Sequence, residues 1–143
     1  MNPYDRLKLE NQLCFPFYAI SREIIKLYKP ALDPFNLTYT QYITMLVLWE
    51  ENEITFKKLG EKLHLDSGTL TPVLKKLEAM GLVNKYRTKE DDRVVVVELT
   101  KEGKLLKEDI LHVPHEVGCN IHLDKEELIQ LKGILDKLLG QMK

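Results

Sequence analysis

The chain reads as mainly α-helical with one small β-hairpin, and two adjacent stretches carry that reading. In DSGTLTPVLKKLEAMGLV (66–83), Leu70, Val73, Leu74, Leu77 and Met80 recur at helical spacing. Asp66 and Ser67 can cap that helix at its start and Gly81 can stop it. In NKYRTKEDDRVVVVELT (84–100), extended runs at 83–87 and 94–99 flank a charged tip at 88–92. A short helix with a hydroxyl-rich first turn, followed by such a hairpin, is the layout of a winged helix-turn-helix. The helix fits the major groove of duplex DNA. The tip, with Arg87, Lys89 and Arg93, can follow the backbone or enter the adjacent minor groove.

Caps and breakers predict the remaining elements in chain order. A first helix falls within 9–28 and is broken in 29–37 by Pro30 and Pro34. Thr38-Tyr39-Thr40-Gln41 has capping-box spacing ahead of Ile43, Leu46, Val47 and Trp49, which predicts a second helix. Ile54-Thr55 is a brief extended piece, and Thr55 can cap a short helix over 56–63. The groove-facing helix and the hairpin follow. After Thr100 a long helical stretch is interrupted by Pro114 and Gly118. Asp124 and Glu127 again have capping-box spacing and open a last helix to about 142, with Leu128, Leu131, Leu135, Leu138 and Leu139 on a broad apolar face. We expect one domain over 1–143, with the winged helix-turn-helix at about 38–100 and further helices at about 5–30 and 100–143. Those terminal helices carry more apolar surface than one small core needs. They either pack within the chain or form a dimer interface, and two-fold dimers are the usual readers of palindromic DNA sites.

Bulk properties agree with a globular chain: 44% hydrophobic and 30% charged residues, with a net charge of −1. Between Lys57 and Arg93 nine Lys/Arg stand against six Asp/Glu, a local excess of +3 that marks a modestly basic surface. The opening MNPYDRLKLENQ does not read as a signal peptide, and no run approaches ~18 apolar residues, so a cytoplasmic protein with no membrane contact is expected. No cofactor is expected. In a reducing compartment Cys14 and Cys119 are either inert core thiols or a regulated pair, rather than a structural disulfide.

Asp91-Asp92-Arg93, followed after five residues by Leu99-Thr100, matches the D-x-R-x5-L-T signature of the MarR family of regulators. LENQLCF (9–15), YKPALD (28–33), LTYTQY (37–42) and LGEKLHLDSGTLTPVLKKLE (59–78) resemble one branch of it, the organic-hydroperoxide-sensing OhrR repressors. The resemblance spans about Leu9 to Thr100; beyond it, the Pro114 to Cys119 spacing is similar to the two-cysteine members. It implies a homodimeric repressor, not an enzyme, that binds a pseudo-palindromic operator and releases it on oxidation by organic hydroperoxide. By the same resemblance Cys14 would be oxidised to a sulfenic acid and Cys119 of the other subunit would capture it as a disulfide. Tyr28 and Tyr39 would donate phenolic hydrogen bonds to the thiolate, and Tyr18 lies one turn beyond Cys14 on the same face. An unbroken helix would hold Cys14 and Tyr28 roughly 21 Å apart, so their contact needs a two-fold interface or a helix break. Pro16 departs from the family's regular helix. Either the helix kinks at Gln12, or it starts near Phe15 and leaves Cys14 at a helix N-terminus, a position that favours a thiolate.

Within the DNA-facing surface, Ser67, Gly68, Thr69 and Thr71 are expected to supply groove and phosphate contacts, with Lys75 and Lys76 on phosphates or in solvent. Pro72 is tolerated as lying near the helix start. Arg93 either reads the minor groove or pairs with Asp91 to shape the turn, while Arg87 and Lys89 follow the backbone. A rival signal site exists: His112, His115, Cys119 and His122 would lie within about 80° on an ideal helix and are transition-metal ligand types, although Pro114 and Gly118 oppose an ideal helix there. A small aromatic ligand is another conceivable gate. Two readings from other classes remain: a thiol peroxidase using Cys14 and Cys119, marked by peroxide turnover without operator binding, and a winged-helix module for protein contacts, marked by no retention of DNA.

Overall fold

Side-chain caps set five of the helix starts. Thr38 and Gln41 form a reciprocal capping box, as do Asp124 and Glu127. Thr55, Asp66 and Thr100 accept from the backbone N–H three residues on, at Lys58, Thr69 and Gly103. The computed structural model describes residues 2–142, and in it these caps delimit α2 (Tyr39–Glu51), α3 (Phe56–Leu63), α4 (Ser67–Ala79), α5 (Lys101–Asp109) and α7 (Lys125–Gln141). α1 (Cys14–Leu32) precedes them and α6 (Val113–Gly118) lies between the last two. α4 ends where Gly81 takes φ +76°, which lets Leu82 N–H close on the Leu77 carbonyl.

The strands β1 (Glu53–Thr55), β2 (Val83–Arg87) and β3 (Val95–Leu99) form one antiparallel sheet in the order β1-β3-β2. The hairpin pairs Val83 with Leu99 and Arg87 with Val95; the brief extended piece at Ile54 pairs with Val97 on the far edge of β3. The fold is a winged helix-turn-helix, mainly helical with a small sheet as its wing. Its core gathers Leu32 of α1, Met45 and Leu48 of α2, Leu59 of α3, Leu70, Leu74 and Leu77 of α4, Val83 and Val97 of the sheet, and Val113 of α6. Two contacts fasten α5 to this core. Trp49 Nε1 donates to the Gly103 carbonyl at 2.8 Å, and Gly103 sits so close to the Leu82 carbonyl that a Cβ there would collide with it.

Four expectations are corrected. The first helix does not begin near residue 5 or 9: 3-10 turns occupy Pro3–Leu7 and Leu9–Asn11, and the helix opens at Cys14. Pro16 falls in its first turn, where a missing N–H costs no helical hydrogen bond. Nor does Pro30 break the helix, which runs on to Leu32. An interior proline costs about 3 kcal/mol, and burial of Leu32, worth about 1.5–3 kcal/mol, together with Ala31 offsets most of that. The break after Thr100 comes at 110–112, and Pro114 sits in the first turn of α6 instead of interrupting a helix. Pro72, by contrast, lies six residues into α4, beyond the first turn, and the helix continues through it. Among the described residues no helix is long and apolar enough to cross a membrane.

Candidate nucleic-acid interface and thiol site

α4 turns Leu70, Val73, Leu74 and Leu77 into the core and leaves the opposite face free. Ser67, Gly68, Thr69, Thr71, Lys75 and Lys76 are all exposed on it, with Ser67, Thr71 and Lys75 one above the other at four-residue spacing. Asp66 Oδ1 takes the Thr69 N–H at 2.8 Å, and these hydrogen bonds hold its carboxyl below the usual carboxylate range. The helix start that would meet a groove is thus fixed by its own cap.

The wing tip is built from its motif residues. Asp91 accepts from the Arg93 backbone N–H and Nε at 3.0 and 3.1 Å through Oδ1, and from Nη2 at 3.2 Å through Oδ2. Arg93 holds the Asp91 carboxyl low, yet its own side chain is 89% exposed. Both sequence readings of Arg93 are therefore compatible: it shapes the turn and still presents a guanidinium edge. Arg87 donates from Nη1 to the Asp92 carbonyl at 2.7 Å, and Lys89 is exposed beside it. At the other end of the motif Leu99 is buried, and Thr100 Oγ1 donates to the Gly81 carbonyl at 2.6 Å while capping α5. The signature thus ties wing tip, the end of α4 and α5 into one piece. Lys57, near Arg93 and Val94 at the wing root, is an exposed cation that spacing arguments missed.

Cys14 and Cys119 are both free and exposed within the single chain, so neither packs into the core of its own subunit. Cys14 is the first residue of α1, and Phe15, Phe17, Tyr18 and Ile20 beside it are uncovered too. Tyr18 lies under the Arg22 guanidinium, 5.5 Å from ring centroid to Cζ. Tyr28 and Tyr39 do meet, with ring centroids 4.8 Å apart, and Tyr42 joins them at 5.6 Å from Tyr28. Burial raises the pKa of all three phenols, and mutual repulsion among them adds to this for Tyr39 and Tyr42, so they remain proton donors at neutral pH. Tyr42 was legible only as part of LTYTQY, three residues after Tyr39. Because α1 is unbroken, the fourteen residues from Cys14 to Tyr28 span roughly 21 Å. One chain does not bring the thiol and the tyrosine cluster together.

The four candidate metal ligands do not converge either. His115 Nε2 lies 3.7 Å from Cys119 Sγ, while His112 Nε2 faces Glu116 at 3.5 Å and its ring packs near Phe35. Among the described residues no three His, Cys, Asp or Glu side chains form a group that could hold a metal.

Comparison with known proteins gives a consistent picture. Residues 26–110 match the family model for the transcriptional regulators SarA/Rot. The organic hydroperoxide resistance transcriptional regulator of Bacillus subtilis is 52% identical over 141 residues, covering 96% of this chain and 94% of that protein. AbfR of Staphylococcus epidermidis, 34% identical, superposes in its reduced, DNA-bound form with a TM-score of 0.82, covering 96% of this chain and 94% of that one. The disulfide-formed AbfR, 35% identical over 94% and 95% of the two chains, gives 0.67.

Proposed function

We propose, from the premise that this chain belongs to the MarR-like winged-helix transcriptional regulators and to their organic-hydroperoxide-resistance branch, that it is a homodimer whose affinity for DNA is set by the oxidation state of Cys14. The chain is a DNA-binding regulator and not an enzyme. Its place of work is the cytoplasm, where bacterial DNA lies.

One observation carries the reading. The first turns of α1 bear an exposed thiol among exposed Phe15, Phe17 and Tyr18, some 21 Å from a tyrosine cluster that the same chain cannot deliver to it. A two-fold pairing of α1 with its copy would cover that apolar surface and bring the phenols of one subunit to the thiol of the other. α7 supports it: none of the helix's side chains is fully buried within its own chain, and Leu128, Leu131, Leu135 and Leu139 are exposed. In such a site Cys14 stands at a helix N-terminus, whose free N–H groups favour negative charge. The phenols would donate hydrogen bonds to the same sulfur.

The chemistry then runs in two steps. The Cys14 thiolate attacks the O–O bond of an alkyl hydroperoxide, giving the sulfenic acid and the alcohol. Cys119 of the other subunit next displaces hydroxide from that sulfur to form a disulfide. An intersubunit bond at 119 pulls on the segment between α6 and α7 and shifts the spacing of the two α4 helices. The better superposition on reduced, DNA-bound AbfR than on its disulfide form supports reading the present conformation as the DNA-competent one. DNA contact is assigned to Ser67, Gly68, Thr69, Thr71, Lys75, Lys76, Arg87, Lys89 and Arg93.

The test is binding to a DNA fragment from upstream of the gene, before and after one equivalent of cumene hydroperoxide, for wild type, Cys14→Ser and Cys119→Ser. Wild type releases DNA on oxidation and Cys14→Ser does not. Equal retention by wild type and Cys14→Ser after peroxide overturns the proposal.

A further inference from the structure

We infer that His115 is the proton acceptor that arms Cys119 for the second, disulfide-forming half of the switch. The inference rests on the oxidation of Cys14 proposed above and adds a residue to it.

Cys119 Sγ lies 3.7 Å from His115 Nε2, one helical turn earlier. Cys119 caps α6, and its backbone N–H bonds to the His115 carbonyl at 3.0 Å, so the helix end itself holds the pair together. Both side chains are exposed, and the non-helical stretch 119–124 leads from them into α7. The other α6 imidazole is differently engaged: His112 faces Glu116, which leaves His115 as the base beside the sulfur. The face that α6 turns into the core is apolar, Val113 and Val117, so the charged or titratable groups flanking the pair on α6 are His112 and Glu116. Cys14 is exposed at the start of α1, and own-chain cover on that helix falls mostly from Ile24 onward. The pair is free to meet a second subunit.

A thiolate, not a thiol, attacks sulfur, and an ordinary cysteine is only a few per cent ionised at neutral pH. His115 Nε2 removes the Cys119 proton as Sγ attacks the sulfenic sulfur of Cys14 of the partner subunit. The S–S bond forms and the S–O bond of the sulfenic acid breaks. The departing hydroxide collects the proton from the imidazolium and leaves as water. The only oxidant consumed is the alkyl hydroperoxide of the preceding step.

The experiment uses the full chain, one equivalent of cumene hydroperoxide, and two readouts: the intersubunit disulfide on non-reducing gels and Cys14 sulfenic acid trapped with dimedone. In His115→Gln the disulfide forms about tenfold more slowly at neutral pH, and trapped sulfenic acid accumulates. The gap to wild type closes as the pH rises, because solvent hydroxide then takes the thiol proton without help from the imidazole. His112→Gln resolves at the wild-type rate. Wild-type kinetics and pH profile in His115→Gln overturn the inference, as does a deficit that is the same at every pH, which would mark a structural role. Sulfenic acid that forms and persists in wild type without a disulfide removes His115 while leaving peroxide sensing intact. No sulfenic acid at all in wild type removes both.

Discussion

Truncating the exposed leucines of α7 is the perturbation that bears most directly on the proposed site. Leu131, Leu135 and Leu139 are 42%, 37% and 48% exposed within one chain. Burying a leucine fully stabilises by about 1.5–3 kcal/mol, so covering the exposed part contributes about 1 kcal/mol per side chain. In a two-fold interface each residue counts twice, which brings three leucines to about 6 kcal/mol. Alanine retains roughly a third of that contact, leaving a loss of about 4 kcal/mol, or about a thousandfold in the dimer dissociation constant. The monomer should stay folded, because none of these leucines is fully buried in its own chain and alanine is a good helix former. Sedimentation velocity on the triple variant, with protein from about 0.1 to 100 μM to bracket the shift, should move the equilibrium to monomer while circular dichroism stays at wild-type helicity. Peroxide-driven release of DNA should vanish although Cys14 is intact. Two results refute the reasoning: a triple variant that sediments with wild type, or a wild type that is monomeric at the highest concentration.

Other consequences arise from the wing, the core and the caps. Arg93→Ala should weaken operator binding by about 1–3 kcal/mol, and a titration against salt should separate a lost groove contact from a lost phosphate contact through the change in slope. Gly103→Ala should destabilise by about 2–3 kcal/mol or more, since its Cβ meets the Leu82 carbonyl and pushes α5 off Trp49; urea unfolding monitored by Trp49 fluorescence measures it, and an unchanged midpoint would show that the backbone yields cheaply. Asp66 and Asp91 have folded-state carboxyls below their ordinary value of 3.8. Their stabilisation is therefore present above that value and is lost as the pH falls through the lower folded one. Stability should decline on the acid side of pH 4, and Asp66→Asn, which keeps the cap without titrating, should flatten that decline in unfolding curves taken at successive pH values.

Local chemistry explains why so much of the fold was legible in the sequence. The capping boxes at Thr38 and Asp124, the Thr55 cap, the Gly81 stop and the charged hairpin tip each involve residues within four or five positions of one another. Such interactions form wherever the chain folds, so spacing alone predicts them. The exposed face of α4 was equally readable, because its buried leucines and valine fix which side remains in solvent. Readings that relied on one local rule were corrected where packing outweighed it. Proline rules stopped α1 at Pro30, but Ala31 and Leu32 gain enough from burial to extend the helix past it. Helical spacing drew the three histidines and Cys119 onto one stripe, but the chain turns at 110–112 and ends α6 at Gly118, so only His115 and Cys119 remain adjacent.

The sequence by itself determined the winged helix-turn-helix, the caps that start its helices and the motif that shapes the wing, and it singled out the two cysteines as the candidates for a redox role. The tertiary structure decided which distant residues meet. It set Tyr42 with Tyr28 and Tyr39, hung β1 on the far edge of β3, lodged Gly103 beneath Trp49, and left Cys14 and α7 uncovered by their own chain. The division has a physical origin. Hydrogen-bond caps and helical periodicity act over one or two turns, whereas contacts between residues tens of positions apart depend on how all the elements share one core, and no single segment encodes that arrangement.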